Sequence, residues 1–190
     1  MNLFLNIYDL FNYSIESGEH ASRVALYSKF LAEELKCSKE FINEIFTYAP
    51  LHDIGKLKIS NDILKKPGKL TIEEFEEVKK HPEFGLELLS KMNLSKVAEN
   101  IAHYHHEKWN GSGYPNGLKE EEIPLEARIV AISDVYDALR ESRVYKKSFS
   151  HDDAVKVILN GNGVHFDPKL VEIFYKYNEK FNEIFINSEK

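Results

Sequence analysis

The residues of this chain best suited to chemistry are two adjacent histidines that precede a glycine-rich segment. His105 and His106 open a run that continues to Gly111, Gly113 and Tyr114. Adjacent imidazoles supply nitrogen ligands for a metal ion, and glycines let the backbone approach a bound molecule closely. The run therefore predicts metal ligands followed by a substrate-binding loop.

Further imidazole and carboxylate groups lie at separate points along the chain. They are His20, His52, Asp53, His81 and Asp134. A single histidine is more often a core or surface residue with a satisfied hydrogen bond. Taken together with the adjacent pair, however, these groups form the mixed nitrogen and oxygen ligand set that suits first-row divalent metals.

The elements that must position these groups are helical. An amphipathic stripe of Val24, Tyr27, Leu31 and Leu35 predicts a helix from about residue 19 to residue 36. His20 extends this stripe at its start. We therefore expect the His20 side chain to point inward.

Residues 125–140 are apolar on every side, which is typical of a central buried helix. Asp134 lies within that helix, and a buried lone carboxylate carries a large desolvation penalty unless a cation accompanies it. We favour a metal ligand over a structural ion pair. Asp137 lies one turn further on, where supporting a metal ligand and stabilising the helix are equally compatible with the sequence.

Helix boundaries and loops complete the predicted all-α bundle without a sheet. Thr71 and Glu74 have capping-box spacing and open a helix to about Lys80, before Pro82 restarts it and leaves His81 at the break. Ser150 caps another helix, glycines after residue 160 stop it, and a last helix begins near residue 166. The long loops are 55–70 and 108–124.

Composition bounds the class of protein. The 190 residues are 43% hydrophobic and 12% aromatic, enough for one sizeable core in a single domain. The lone Cys37 excludes an intramolecular disulfide and a thiolate metal site, and a reducing cytosol is the simplest location. The net charge of −6 argues against a polymeric nucleic-acid binder. No apolar run predicts a secretory signal or a membrane span.

Over roughly residues 16–170 the chain resembles the HD-GYP domain, a branch of the HD superfamily of metal-dependent phosphohydrolases. The motifs stand in the family's order and at compatible spacing: HDIGK from His52, HPEFG from His81, HHEKWNGSGYP from His105 and ISDVYDAL around Asp134. The resemblance implies an HD-domain helical bundle with a buried di- or trinuclear metal site. It also implies one HD-GYP domain over 1–190, with 171–190 as a C-terminal helix.

The resemblance implies a set of metal ligands. One position would use His20, His52, Asp53 and Asp134, and a second would be completed by His81, His105 and His106. Asp53 would be the bridging carboxylate, although the sequence leaves open which histidine serves which ion. Glu16, four residues before His20, matches a third-metal ligand; a solvated carboxylate is an equally compatible interpretation.

The resemblance also implies catalytic and substrate-binding residues. Lys56 would stabilise charge on the scissile phosphate, with an ordinary surface lysine as the alternative. Tyr114 and Gly113 would contact substrate, or Tyr114 would shape the loop. Arg143 and Lys146 match positions that contact phosphates or guanine, with a solvated basic helix end as the alternative. The departures from the family pattern remove no metal ligand. They are Ala21, Asn110, Arg140, Glu141 and Ser142.

The resemblance implies a metal-dependent phosphodiesterase that hydrolyses cyclic-di-GMP to pGpG and can continue to GMP. The alternatives are hydrolysis of another cyclic dinucleotide or phosphoester, and a non-catalytic dinucleotide-binding signalling module. Two or three divalent ions are expected, with iron or manganese preferred and zinc compatible. The expected partners are a cyclic dinucleotide and proteins docking on the Gly-Tyr-Pro loop, and the expected location is the bacterial cytoplasm.

Overall fold

The computed structural model describes residues 18–141 and 148–188, and these fold into helices joined by short connections. The α-helices are α1 Gly18–Glu34, α2 Lys39–Tyr48, α3 Asn61–Leu64, α4 Ile72–Val78, α5 His81–Met92, α6 Lys96–Tyr104, α7 Leu125–Arg140, α8 His151–Asn160, α9 Pro168–Lys176 and α10 Asn178–Ser188. Three 3₁₀ helices span Ala49–Leu51, Ile54–Lys58 and Glu120–Glu122. Within the described ranges the extended pairing is one isolated bridge between Asn162 and Phe166. The predicted all-α class is confirmed.

Helix α7 is the centre of the main core. Its Ile129, Val130 and Ile132 are fully buried and pack with residues of α1, including Val24 and Leu31. Burying one such side chain contributes about 1.5–3 kcal/mol. The packing of α1 against α7 brings His20 and Asp134 to the same place.

Aromatic rings join the C-terminal helices to this core. Tyr27 of α1 stacks on Phe181 of α10 with ring centroids 4.8 Å apart, and both rings contact Tyr136 of α7 edge-on. Phe174 of α9 lies edge-on to Tyr136 and Phe181. These contacts among α1, α7, α9 and α10 fix the two helices that carry His20 and Asp134 against each other.

A second, smaller core supports the other side of the site. Helix α5 lies directly on the Ile54–Lys58 3₁₀ helix, next to a cluster that includes Leu51 and Leu89. Gly55 makes this approach feasible, because a Cβ there would lie 1.9 Å from the His81 carbonyl oxygen. The absence of a side chain at Gly55 therefore lets His81 come close to Asp53.

Several helix boundaries agree with the sequence predictions. The Thr71–Glu74 capping box is present and opens α4, Lys80 precedes α5, and Ser150 caps α8 through the Asp153 amide. No helix in the described part of the chain is long and apolar enough to cross a membrane.

Two predictions about local structure were wrong. The segment 55–70, expected to be a loop, contains most of a 3₁₀ helix and the short α3, which Ser60 caps through the Asp62 amide. The segment 171–190 is not one helix, since α9 ends at Lys176 and α10 begins at Asn178. Between them Tyr177 has φ −122° and ψ 22°, and these non-helical backbone angles end α9.

Candidate metal centre

Seven predicted ligands come together from five separate segments. His20 lies in the first turn of α1, His52 and Asp53 lie between two 3₁₀ helices, and His81 is the first residue of α5. The remaining three are His105 and His106, directly after α6, and Asp134, in the middle of α7. His20, His52, His81 and His105 are each at most 2% exposed. Each side chain is fixed by a helix end or a buried helix.

The ligand atoms form two adjoining groups. In the first, Asp53 Oδ1 lies 2.9 Å from His81 Nε2 and 3.6 Å from His105 Nε2, with His106 completing the set. In the second, Asp134 Oδ1 lies 3.4 Å from His20 Nε2 and 3.8 Å from His52 Nε2. We call these the loop-side group and the α7-side group.

Asp53 connects the two groups. While its Oδ1 belongs to the loop-side group, its Oδ2 lies 3.4 Å from Nε2 of His52 in the α7-side group. A carboxylate with one oxygen directed to each of two cation positions is arranged to bridge them. The geometry thus agrees with the bridging role that the resemblance implied.

The histidine tautomers are set by acceptors on the far side of each ring. Nδ1 lies 2.9 Å from the Ala49 carbonyl oxygen in His52, 2.8 Å from that of Val78 in His81, and 3.0 Å from that of Ile101 in His105. A carbonyl can only accept, so each Nδ1 carries the proton and donates it. Each Nε2 then presents a lone pair to the centre, as metal-ligating histidines do.

This arrangement fits a divalent cation. His81 Nε2 and His105 Nε2 are 3.3 Å apart, and with Nδ1 protonated on both rings they present two lone pairs to each other. The buried Asp53 Oδ1 faces the same point and accepts no hydrogen bond within the described residues. Clustered nitrogen and oxygen lone pairs repel one another unless a cation lies between them, and these donors suit a first-row divalent metal.

His20 is anchored differently, through a buried carboxylate. Its Nδ1 lies 2.7 Å from Asp137 Oδ2, and Arg23 donates to both oxygens of Asp137 at 2.7 and 2.8 Å. Arg23 also donates to Glu141 at 2.6 Å, and its guanidinium lies over the Phe185 ring. Asp137, whose role the sequence left open, therefore orients the candidate ligand His20.

Electrostatics keep both carboxylates ionised. Burial opposes ionisation of Asp53, yet the charge of Lys56 and the nearby His52 hold its pKa well below the usual range. Burial likewise opposes ionisation of Asp134, while His20 and His52 lower its pKa. In the described part of the chain, Asp134 forms its ion pairs with the imidazoles of His20 and His52, and its role as a metal ligand stays a prediction.

Two imidazoles of the loop-side group, His105 and His106, are held in the neutral form that can bind a metal. Burial lowers the pKa of His105 despite the nearby Asp53, and burial together with His105 lowers the pKa of His106 strongly. A neutral ring keeps its free lone pair at pH 7. Asp53, Asp134, His105 and His106 are thus in the protonation state that metal binding requires.

Lys56 is the cation nearest to the bridging carboxylate. It lies one 3₁₀ turn after Asp53, and its Nζ donates to Asp53 Oδ2. The side chain is 23% exposed, so it lies at the edge of the site rather than on the open surface. This position is compatible with the predicted contact to a substrate phosphate, which stays a prediction.

The Gly-Tyr-Pro loop packs directly on a ligand. The Tyr114 ring stacks on the His106 ring, with centroids 4.7 Å apart and planes 26° from parallel. A Cβ at Gly113 would lie 2.4–2.6 Å from backbone atoms of residues 106–108. Gly113 thus has a packing role within the loop, and its contact with substrate stays a prediction, as does that of Tyr114.

Sequence reasoning gave no role to two residues that matter here. Glu107 is a buried carboxylate that accepts backbone hydrogen bonds from the loop. Arg23 is a buried cation on the apolar face of α1. Arg23 could have been suspected, because a charge three residues after His20 interrupts the buried stripe; Glu107 carries no such signal.

The other predicted residues lie away from the centre or outside the described ranges. Glu16, Arg143 and Lys146 fall outside the described residues. His151 bonds to Tyr136 and Asn178. In the described part of the chain, neither His103, His151 nor His165 joins a ligand group.

A helical bundle in which histidine and aspartate side chains converge around one shared aspartate has the architecture of a histidine–aspartate metal-binding domain. The sequence model of the HD domain family matches residues 9–170, and the chain belongs to this family. The resemblance to the HD superfamily that the HDIGK and HHEKWNGSGYP motifs indicated is confirmed.

Similar proteins extend this assignment. A cyclic di-GMP phosphodiesterase of Vibrio cholerae is 45% identical, over 87% of this chain and 37% of the relative. A 3'3'-cGAMP-specific phosphodiesterase of the same organism is 44% identical, over 88% and 33%. The chain therefore spans well under half the length of these curated relatives.

A solved structure supports the fold. An HDG"Y"P protein from Bdellovibrio bacteriovorus superposes with a TM-score of 0.65 at 23% identity, covering 90% of this chain and 58% of the other. At this identity the likeness concerns the fold alone.

Proposed function

We propose that this chain is a metal-dependent phosphodiesterase that hydrolyses cyclic-di-GMP to pGpG and can continue to GMP. The observation that carries the proposal is the Asp53 carboxylate, whose two oxygens face two adjoining ligand groups. Two neighbouring divalent ions are the usual solution for hydrolysis of a phosphodiester. Curated relatives named cyclic di-GMP phosphodiesterases support the choice of substrate.

The ligand groups indicate which residues would hold the ions. The α7-side group would hold one, the loop-side group a second, and Asp53 would contact both. A third ion is proposed at Glu16. Iron or manganese suits this thiolate-free set, and zinc accepts the same donors. When bound, such ions supply an activated water at neutral pH and neutralise phosphate charge.

The chain's own residues would orient the substrate around this centre. Lys56, next to Asp53, would place its ammonium group against the scissile phosphate and stabilise the charge that develops there. Tyr114, stacked on His106, would offer an aromatic face to the ligand. Arg143 and Lys146 would bind a phosphate or a guanine edge, which the arginine fork suits.

A second candidate substrate is 3'3'-cGAMP. A relative named as specific for it is 44% identical to this chain, and the metal chemistry is the same for either base. A non-catalytic dinucleotide-binding module is disfavoured, since all seven described ligands are present and converge. Cyclic dinucleotide signalling would place the chain in a bacterial cytoplasm, with protein partners docking on the Gly-Tyr-Pro loop.

The proposal is tested by anaerobic turnover with iron(II) or manganese(II). Cyclic-di-GMP, 3'3'-cGAMP and cyclic-di-AMP are compared as substrates, and products are separated by chromatography. We expect pGpG from cyclic-di-GMP, and a Lys56→Ala variant slowed about a hundredfold, the scale of losing one electrostatic donor. Lys58→Ala is the matched control, because Lys58 lies in the same 3₁₀ helix but pairs with Glu87.

Each result of this assay has a clear meaning. Preferred cleavage of 3'3'-cGAMP would make it, rather than cyclic-di-GMP, the proposed substrate, and the proposed phosphodiester hydrolysis would stand. Intact dinucleotides despite two bound ions would refute the phosphodiesterase and leave a binding module. Equal rates for Lys56→Ala and Lys58→Ala would remove the role proposed for Lys56.

A further inference from the structure

Glu107 lies at the base of the Gly-Tyr-Pro loop, directly after the ligand His106. Its side chain is only 2% exposed, although no lysine or arginine is paired with it in the described structure. One carboxylate oxygen accepts the amide of Asn116 at 2.7 Å and that of Gly117 at 3.1 Å, and the other accepts the amide of Leu118 at 3.1 Å. Three consecutive backbone donors are thus bound by one side chain.

These bonds close the loop around Tyr114. The Tyr114 amide donates to the His106 carbonyl at 3.2 Å, and Glu107 holds the chain again two residues later, at Asn116. The absence of a side chain at Gly113 lets this turn lie on the backbone of residues 106–108. Tyr114 is therefore fixed on both sides along the chain, with its ring on His106.

Burial of a carboxylate is costly unless its oxygens are hydrogen-bonded. Burial raises the pKa of Glu107, while the amides of Asn116, Gly117 and Leu118 act in the opposite direction. Hydrogen bonds from backbone amides to an ionised carboxylate are among the stronger ones in proteins. They order a loop whose sequence would otherwise leave it open to many conformations.

We infer that Glu107 is a positioning residue that holds the 113–118 segment so that Tyr114 stays on His106 in the substrate-binding arrangement. The effect on substrate binding rests on the proposed function, whereas the ordering of the loop by Glu107 rests on the geometry alone. Because a loop ordered before binding loses less entropy when the ligand arrives, the clamp acts on substrate affinity. It does not act on metal retention or on the chemical step.

The test compares Glu107→Ala with Glu121→Ala, which removes an exposed carboxylate from the 3₁₀ helix that follows the loop. With manganese-loaded protein we expect Glu107→Ala to raise KM about tenfold with little change in kcat, the pattern of lost binding rather than lost chemistry. Metal content should match the wild type. Glu107→Gln, which keeps one acceptor oxygen, should restore part of the affinity and serves if the alanine variant fails to fold.

A double-mutant cycle with Tyr114→Ala separates positioning from general destabilisation. If Glu107 acts through Tyr114, the Glu107→Ala/Tyr114→Ala double variant should have a KM no higher than that of whichever single variant has the higher KM. Additive losses, a fall in kcat at unchanged KM, or loss of metal would each overturn the inference. So would a Glu107→Ala variant that behaves like Glu121→Ala.

Trp109 supplies a readout that does not depend on turnover. It is the single tryptophan of the chain, and it lies at the neck of the loop, where its carbonyl accepts the Glu120 amide at 2.8 Å. Loosening of the loop in Glu107→Ala should increase quenching of its fluorescence by acrylamide, whereas Glu121→Ala should not. If the wild type cleaves no dinucleotide, the proposed function fails, and unchanged quenching in Glu107→Ala would separately refute the clamp.

Discussion

The two ligand groups of the metal centre are built in different ways. On the loop side, His81 and His105 bond to carbonyls three and four residues earlier, so each ring is oriented by the C-terminal turn of the preceding helix. On the α7 side, His52 is anchored locally through the Ala49 carbonyl, but His20 is oriented by Asp137, which lies 117 residues away along the chain. The first kind of anchor forms with local structure, whereas the second requires the finished core.

The two groups should therefore differ in their sensitivity to substitutions elsewhere in the fold. The carboxylate that orients His20 is itself held by Arg23, which is shared with Glu141 and lies under Phe185 of the last helix. Changes in the packing of α1, α7 and α10 should therefore reach the α7-side group. The loop-side group should respond mainly to changes in its own segments.

The largest expected effect comes from breaking the buried network. Arg23→Met removes the cation and leaves Asp137 buried without it, which should lower the free energy of unfolding by about 3–5 kcal/mol. Lys29→Met is the matched control, because Lys29 lies on the same helix with an exposed side chain and should change stability by about 0.5 kcal/mol or less.

Urea unfolding of the metal-free proteins measures both variants. Equal stability of Arg23→Met and Lys29→Met would show that the network contributes little to the fold. The dependence of the α7-side group on the core would then have no physical basis.

A smaller, more selective effect is expected at Asp137. Asp137→Asn keeps the shape of the side chain but weakens the bond that orients His20, so the α7-side group should bind its ion about 10–100-fold more weakly. The affinity of the loop-side group should stay close to that of the wild type. A stepwise titration with manganese, monitored by calorimetry, measures the affinity of each site separately.

Glu141→Gln supplies the smallest change and the control for Asp137→Asn. The Glu141 carboxylate accepts a hydrogen bond from Arg23 and is 22% exposed, whereas the acceptor beside His20 Nδ1 is Asp137, so Glu141→Gln should barely alter either metal affinity. Equal weakening of both ions in Asp137→Asn would contradict the separation of the two groups.

The sequence predicted those features that depend on local pattern and ligand type. The helix expected over 19–36 is observed as Gly18–Glu34, and the buried helix over 125–140 is observed as Leu125–Arg140. All seven described ligands converge, because helix periodicity turned His20 and Asp134 inward and the motifs placed the others at helix ends.

What the sequence could not provide depends on contacts between distant segments. The pairing of Arg23 with Asp137 joins residues 114 apart, and no spacing rule reveals it. Glu107 binds backbone amides, which every residue except proline possesses. The types of the residues at 116–118 therefore could not predict this contact. The break at Tyr177 was missed for a related reason, since the packing of α9 and α10 on the core overrides local helix propensity.

The most direct test of the central claim is a crystal structure of the manganese-loaded chain with anomalous diffraction at the metal edge. We predict a pair of peaks about 3.5–4 Å apart, one ligated by His81, His105 and His106 and the other by His20, His52 and Asp134, with the ion proposed at Glu16 as a separate third peak. Asp53 should contact both. A single peak, or two peaks that do not share Asp53, would contradict the account.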